Sequence, residues 1–324
     1  MVTRSRNAAA LLLAAGLLGA PARANDSASE LDAGGLVLRP EPGIALASED
    51  LSISRARIDV AYVFRNRVTE PRTVRIAFPL PPIDGRELSF SALKLPQPER
   101  ANFVGFTVTV DGRPVEPELE ERAVTDLLRR HGLPLNPLRF SELEAAQKRI
   151  DTATWAELVK AGLFPDAEGM SEGLWRSEAT FHWLQTFPAG KEVRIAHSYT
   201  PVSGFHLLDL KEASRAGYRA TYCVDDPGLA AIRRLHARAP NASGHLRAFV
   251  VPYIVTTARN WGSPIGRFTL TVDKGSPEAI VSFCRTGIRK VGPTTFRWEA
   301  RDYVPDHDLR VLFVLPGPGP MGIR

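Results

Sequence analysis

The stretch 58-IDVAYVFRNRVTEPRTVRIAFPLPP-82 decides the fold class. Ile58, Val60, Tyr62 and Phe64 alternate with Asp59, Ala61, Val63 and Arg65. That is the period of a half-buried strand, whose successive side chains leave on opposite faces. The polar segment 65–71 then turns the chain. Val74, Ile76 and Phe78 alternate with Thr73, Arg75 and Ala77, and Pro79, which has no N–H to give to a ladder, ends the second strand. The stretch is predicted to be two strands around a turn. Packing alone accounts for its pattern, so it reads as frame, with no chemistry left over.

The alternation recurs outward from there. Val104, Phe106, Val108 and Val110 form a third strand, closed by the turn pair Asp111-Gly112. Residues 181–187 and 193–199, joined through Pro188-Ala189-Gly190, are predicted to make another hairpin. These pieces predict a mainly β chain: an antiparallel β-sandwich domain over 25–204. Residues 116–178 interrupt it as an inserted helical lobe. There 124–131 has a helical pattern stopped by Gly132. Ser141 with Glu144, and Thr154 with Glu157, have the spacing of capping boxes. A second β-rich domain is predicted over 205–316. It holds a helix opened by Asp226-Pro227, with Leu229, Ile232 and His236 on one face, then strands near 246–257, 266–273, 279–284, 294–300 and 308–315. A Gly/Pro tail, 317–324, closes the chain.

Arg4 and Arg6 precede the apolar run 8–20, and Ala22-Arg23-Ala24 has the small-x-small pattern of a signal-peptidase site. The run has 13 residues, against the roughly 20 that a bilayer-spanning helix needs. Residues 1–24 therefore read as a cleaved secretory signal, and the protein as periplasmic or secreted, with no membrane span. The chain has 41 basic and 36 acidic residues. The signal holds Arg4, Arg6 and Arg23 and no acid, so the balance after cleavage is 38 − 36, or +2. The basic residues are dispersed rather than clustered, which argues against a nucleic-acid partner.

Two cysteines, Cys223 and Cys284, stand 61 residues apart without a CxxC pair. In an exported chain an even count favours one structural disulfide over a metal pair or a nucleophile. It would tie the helical excursion to the C-terminal sheet.

Several segments together resemble a known family. They are 25-NDSASELDAGGLVL-38, 48-SEDLSIS-54, a strand ending in Phe64-Arg65-Asn66, one ending in 78-FPLP-81, 187-FPAGKEVRIAHSYTPVSG-204, 222-YCVDD-226, 257-TARNWGSPIGRFTLTVDKG-275 and 281-VSFCRTG-287. In this order they are similar to the domain of unknown function 4424 family. The resemblance implies a secreted bacterial envelope protein and carries no catalytic residue with it. Over 51–203 there is also a partial likeness to the vault protein inter-alpha-trypsin domain, a β-sandwich interaction module. It lies in Tyr62-x-Phe64-x-Asn66, 78-FPLP-81, 110-VDGR-113 and 188-PAG-190.

No HExxH helix or Walker loop occurs in the sequence, and no cofactor is implied. His197 shares a strand face with Val193, Ile195 and Tyr199, which suits a core or rim histidine. His182 and His206 could approach it and give a metal-binding cluster. Asp306-His307-Asp308 reads as a solvated turn, and Glu116, Glu118, Glu120 and Glu121 as a solvated approach to the lobe. Trp155 and Trp175 belong to or border the insert, and Trp261 is predicted on the loop 259-RNWGSP-264. Such aromatics either pack in a core or anchor a ligand. Three functions stay open: a non-enzymatic binding module for an envelope protein or a cell-wall component, a soluble carrier of an apolar small molecule, and a hydrolase or metalloenzyme with a site assembled from distant His and acidic residues. The sequence does not fix the oligomeric state.

Overall fold

The computed structural model describes residues 26–32, 35–88, 96–97, 99–123, 125–166, 172–238 and 245–317. The expected signal 1–24 and its cleavage point, and all of the tail beyond 317, lie outside the described residues. Along the chain run β1 (Ser27–Asp32), β2 (Gly35–Leu38), β3 (Ile44–Ile53), β4 (Ile58–Asn66), β5 (Arg72–Pro79) and β6 (Ile83–Asp84). There follow β7 (Thr107–Val110), β8 (Arg113–Val115), β9 (Glu118–Ala123), β10 (Arg176–Phe187), β11 (Glu192–Tyr199) and β12 (Phe205–Leu208). The last are β13 (Leu246–Tyr253), β14 (Ile265–Asp273), β15 (Ile280–Ser282), β16 (Arg289–Lys290), β17 (Thr295–Tyr303) and β18 (Leu309–Leu315).

These strands make three sheets. One has six strands in the order β2-β1-β5-β10-β6, with β9 also on β10. The second has eight, β16-β17-β14-β3-β4-β11-β7-β8, and the third four, β12-β13-β18-β15. The chain is mainly β, as its alternation predicts.

The opening stretch folds differently from a hairpin. Its two strands exist, but β4 pairs with β3 and β11 while β5 pairs with β1 and β10, in a different sheet. The second expected hairpin is likewise split, β10 in the six-stranded sheet and β11 in the eight-stranded one. Both connections are arches from one sheet to the other. The reason is apolar burial. A hairpin would set Tyr62 and Phe64 beside Ile76 and Phe78 on one surface, whereas the arch sets them face to face across a dry interior. Phe64 meets Phe187 across that interior with ring centroids 5.7 Å apart. Asn66, fully buried, holds the two arches together: its amide donates to the carbonyls of Glu70 at 2.9 Å and Phe187 at 2.8 Å, and its oxygen accepts from Val68 N–H. The Asp111-Gly112 turn is a true hairpin, joining β7 to β8, with positive φ at both residues.

One continuous core joins the sheets. It holds Phe64, Phe78 and Trp183 with Val251, Tyr253, Phe268 and Phe313. The 205–316 region supplies the four-stranded sheet and also lends β14, β16 and β17 to the eight-stranded one, where β14 runs parallel to β3. The other face of the four-stranded sheet, with Ala248, Leu312 and Val314, packs on Leu229 and Ile232 of helix Asp226–Ala237. Asp225 caps that helix by accepting from Gly228 N–H. Cys223 and Cys284 form the disulfide.

Helices Leu127–Arg130, Phe140–Gln147 and Thr152–Lys160 lie within the expected insert, around their own small core of Leu128, Leu143, Leu158 and Phe164. Neither capping box forms as expected. Phe140–Gln147 starts one residue before Ser141. Asp151 caps the last helix instead, accepting from Thr154 N–H at 2.7 Å. Asp151 stands three residues ahead of Thr154, the distance at which a short carboxylate reaches an orphan N–H. Among the described residues no helix is long and apolar enough to cross a membrane.

Candidate functional site

The inner face of the eight-stranded sheet is covered by the other two sheets, so its outer face is where a ligand can reach it. Strand register brings the outward residues of distant segments into rows. One row runs Arg297, Thr271, Ser52, Asp59, Ser198, Thr107. The next runs Glu299, Thr269, Asp50, Ala61, Ala196, Thr109. Together they line an open trough of about 720 Å³ across β17, β14, β3, β4, β11 and β7. At about 4.8 Å between neighbouring strands, those strands span roughly 24 Å.

The floor is low because Ala61 and Ala196 stand opposite each other at its centre. Larger charged side chains stand around it, and they pair among themselves. Arg57 donates to Asp59 at 2.7 Å, Arg267 lies 3.5 Å from Asp50, and Arg289 contacts Glu299. The lining therefore offers hydroxyls, carboxylates and guanidinium groups, with the apolar atoms of Ala61, Ala196 and the polar side chains' own carbons between them. Its aliphatic members Leu51 and Val60 are 2% exposed and point into the core.

Beneath the same sheet lies a buried polar group. The Tyr62 and Tyr253 hydroxyls are 3.0 Å apart, and Tyr253 donates to the Glu49 carboxylate at 3.3 Å. Burial, then the charge of Glu49, pushes the Tyr62 phenol well up. Asp26 and His197 approach to 3.5 Å with both side chains fully buried, too long for a hydrogen bond. Burial raises the Asp26 carboxyl well above its ordinary range and pulls the His197 imidazole down to about 3. Burial thus disfavours the charged form of each.

The three histidines occupy separate environments. The His197 ring is enclosed by Tyr62, Phe78, Phe106 and Trp183, with centroids 5.0–5.5 Å away. His182 precedes Trp183 on β10, so its ring leaves on the opposite face; there it accepts from Arg75 at 2.9 Å. His206 sits on β12 beside Tyr218. Among the described residues no group of three His, Cys, Asp or Glu side chains is placed to hold a metal.

The tryptophans go to interiors. Trp261 is 4% exposed, lies 4.8 Å from Phe64 and donates its indole N–H to the Asp26 carbonyl at 2.7 Å. Gly262 lets it do so: a Cβ there would stand 2.1 Å from the Pro42 carbonyl oxygen. Trp175 donates to the Leu135 carbonyl, and Trp155 stacks on Phe164 at 4.7 Å. Of the acidic group, Glu116 and Glu118 are exposed, while Glu120 and Glu121 are engaged. Glu120 accepts from Leu36 N–H, and Glu121 pairs with Arg139 at 2.5 Å, fixing β2 and the lobe to β9. Asp308 is equally engaged, accepting from the N–H groups of Val255 and Thr256 and from the Thr256 hydroxyl.

The trough residues were not singled out from the sequence, although a signal was there. The outward positions of β4 and β11 carry alanine at the same level, where an ordinary solvated strand face would carry long polar side chains. Only the pairing of β14 with β3 shows that Thr269 and Thr271 join them.

The chain belongs to the family described as domain of unknown function (DUF4424), whose model matches residues 24–312. That match bears on the first of the two likenesses seen in the sequence; the inter-alpha-trypsin likeness is not shown. No curated protein matches the chain. Among solved structures, a Legionella pneumophila subsp. pneumophila str. Philadelphia 1 protein described as a "putative nutrient binding protein" is similar, at 16% identity and a TM-score of 0.46, covering 91% of this chain and 72% of that one.

Proposed function

For this member of the DUF4424 family, we propose an exported, non-enzymatic binding module that holds an envelope component in the trough of its eight-stranded sheet. The observation that carries the reading is the trough itself, with six strands from both halves of the chain aligned across one polar, low-floored surface. A rigid sheet holds its side chains more precisely than a loop does, which suits recognition. Export is supported by the charged and apolar pattern of residues 1–24 and by the Cys223–Cys284 disulfide, a bond that persists in oxidising compartments.

The test is co-sedimentation of the purified protein with a washed envelope fraction. Ala61→Arg with Ala196→Arg fills the trough at two exposed positions, and Leu184→Arg, on the outer face of the six-stranded sheet, is the control. The wild type and the control are expected to sediment with the envelope and the filled variant to stay in solution. Equal retention of the filled variant, or none of the wild type, overturns the reading. An intact mass beginning at Asn25 is expected for protein from its native host; a retained 1–24 segment overturns the export reading.

A further inference from the structure

We infer that the occupant of the trough is a neutral polyhydroxyl chain, an uncharged oligosaccharide segment lying across the strands. This rests on the trough being the binding site. Three features of the lining select that chemistry. The first is charge. Arg57, Arg267 and Arg297 are equal in number to Asp50, Asp59 and Glu299, the close pairs Arg57–Asp59 and Arg267–Asp50 satisfy each other, and Glu299 is engaged by Arg289. A charged ligand meets charges of both signs here and, at the three ion pairs, would have to displace an existing partner. A nucleic acid or acidic polymer is disfavoured on that ground.

The second is the kind of polar group. Ser52, Ser198, Thr109, Thr269 and Thr271 present hydroxyls, each able to donate and to accept, and Thr107, whose hydroxyl donates to the Ser198 carbonyl at 3.3 Å, can still accept. A sugar hydroxyl has the same double capacity, so most contacts can be made in either sense, and the carboxylates and guanidinium groups around the floor add fixed acceptors and donors. The third is the shape of the floor. An extended peptide is recognised through pockets for alternate side chains, and an apolar cargo through an apolar cavity. Here the floor is the two methyl groups of Ala61 and Ala196, flanked by hydroxyls, with no recess for a bulky side chain. Flat ring faces rest on such a floor, and ring hydroxyls reach the rows on either side. The direction follows from the rows: the lining extends over six strands but only a few outward residues along each, so the ligand's long axis crosses the strands.

The experiment is titration calorimetry of the mature protein against short neutral α- and β-linked oligosaccharides, at low and at high salt. At least one is expected to bind, with an affinity unchanged by salt, since no ion pair forms. Ala61→Arg with Ala196→Arg should weaken it by at least about tenfold, and Leu184→Arg should leave it unchanged. If the arginine pair does not fold, Thr109→Ala with Thr269→Ala removes hydroxyls without adding bulk and should weaken binding as well. Affinity that falls steeply with salt, or binding of peptides alone, overturns the inference. If no neutral oligosaccharide binds while the filled variant still loses its hold on the envelope, the ligand class is wrong and the trough remains the site. If the filled variant keeps that hold, both readings fall together.

Discussion

On β4, Ile58, Val60, Tyr62 and Phe64 go into the core, while Asp59 and Ala61, one residue away along the same strand, line the open trough. The two faces of the eight-stranded sheet thus share a backbone and differ in everything else. Inside are aromatic rings around His197 and a pair of hydrogen-bonded tyrosines. Outside are hydroxyls, alanines and self-neutralised charges. The apolar set of an alternating strand accounts for the fold and exhausts itself there. The other set faces the trough proposed as the binding site.

That comparison predicts unequal costs. Phe64→Ala, inside, is expected to lose about 3–5 kcal/mol through lost contacts and a residual cavity, read as a large fall in the midpoint of urea unfolding. Asp59→Asn, outside, should stay within about 0.5 kcal/mol. Comparable losses at the two positions would break the distinction between the faces.

The disulfide gives the next effect. It lies beside the helical layer, away from both faces, and its cysteines are 61 residues apart. Replacing both cysteines by serine should cost about 2–4 kcal/mol, measured as the difference in unfolding free energy from the oxidised wild type. Binding in the trough should not change. A parallel loss of binding would show that the sheet depends on the bridge.

The last effect is a pH dependence of the inner face. His197 stays neutral in the fold down to about 3, while an unfolded imidazole takes up its proton near 6.5. The unfolded chain gains the extra proton first, so this contribution declines as the pH falls from about 6.5 toward about 3. Asp26 acts in the opposite sense: its raised carboxyl keeps a proton that the unfolded chain has lost, a contribution present at low pH and lost as the pH rises through the folded value. His197→Phe, seated among Tyr62, Phe78 and Phe106, is expected to make the acid decline shallower in unfolding curves taken across that range. An unchanged acid limb would mean that the imidazole is not held neutral.

Much of this molecule was legible in its sequence for one reason: alternation and turn chemistry are local. Strands β4, β5, β11 and β14 follow from period-two patterns, and the β7–β8 hairpin from Asp111-Gly112. The helical lobe follows from the change of period near 124–160, and the disulfide from the count of two. The candidate site was not legible, because its residues have no motif in common. Ser52, Asp59, Ser198, Thr107 and Thr271 come from five strands, and each is unremarkable in its own segment. Trp261 shows the same limit from the other side. Its neighbours Gly262 and Pro264 mark a loop correctly, yet the loop is folded inward onto Phe64 and the Asp26 carbonyl.

By itself the sequence determined which residues are strand, which side of each strand is apolar and where the chain must turn, because those depend on side-chain period and on backbone chemistry within a few residues. Only the tertiary structure decided which strands became neighbours. The two arches send β5 and β10 to one sheet and β4 and β11 to another, and β14 from the far half of the chain closes against β3 in parallel. Those pairings are selected by burying complementary apolar faces over long sequence separations, a sum over the whole core that no short segment contains. The polar face opposite that core inherited its geometry from the same choice.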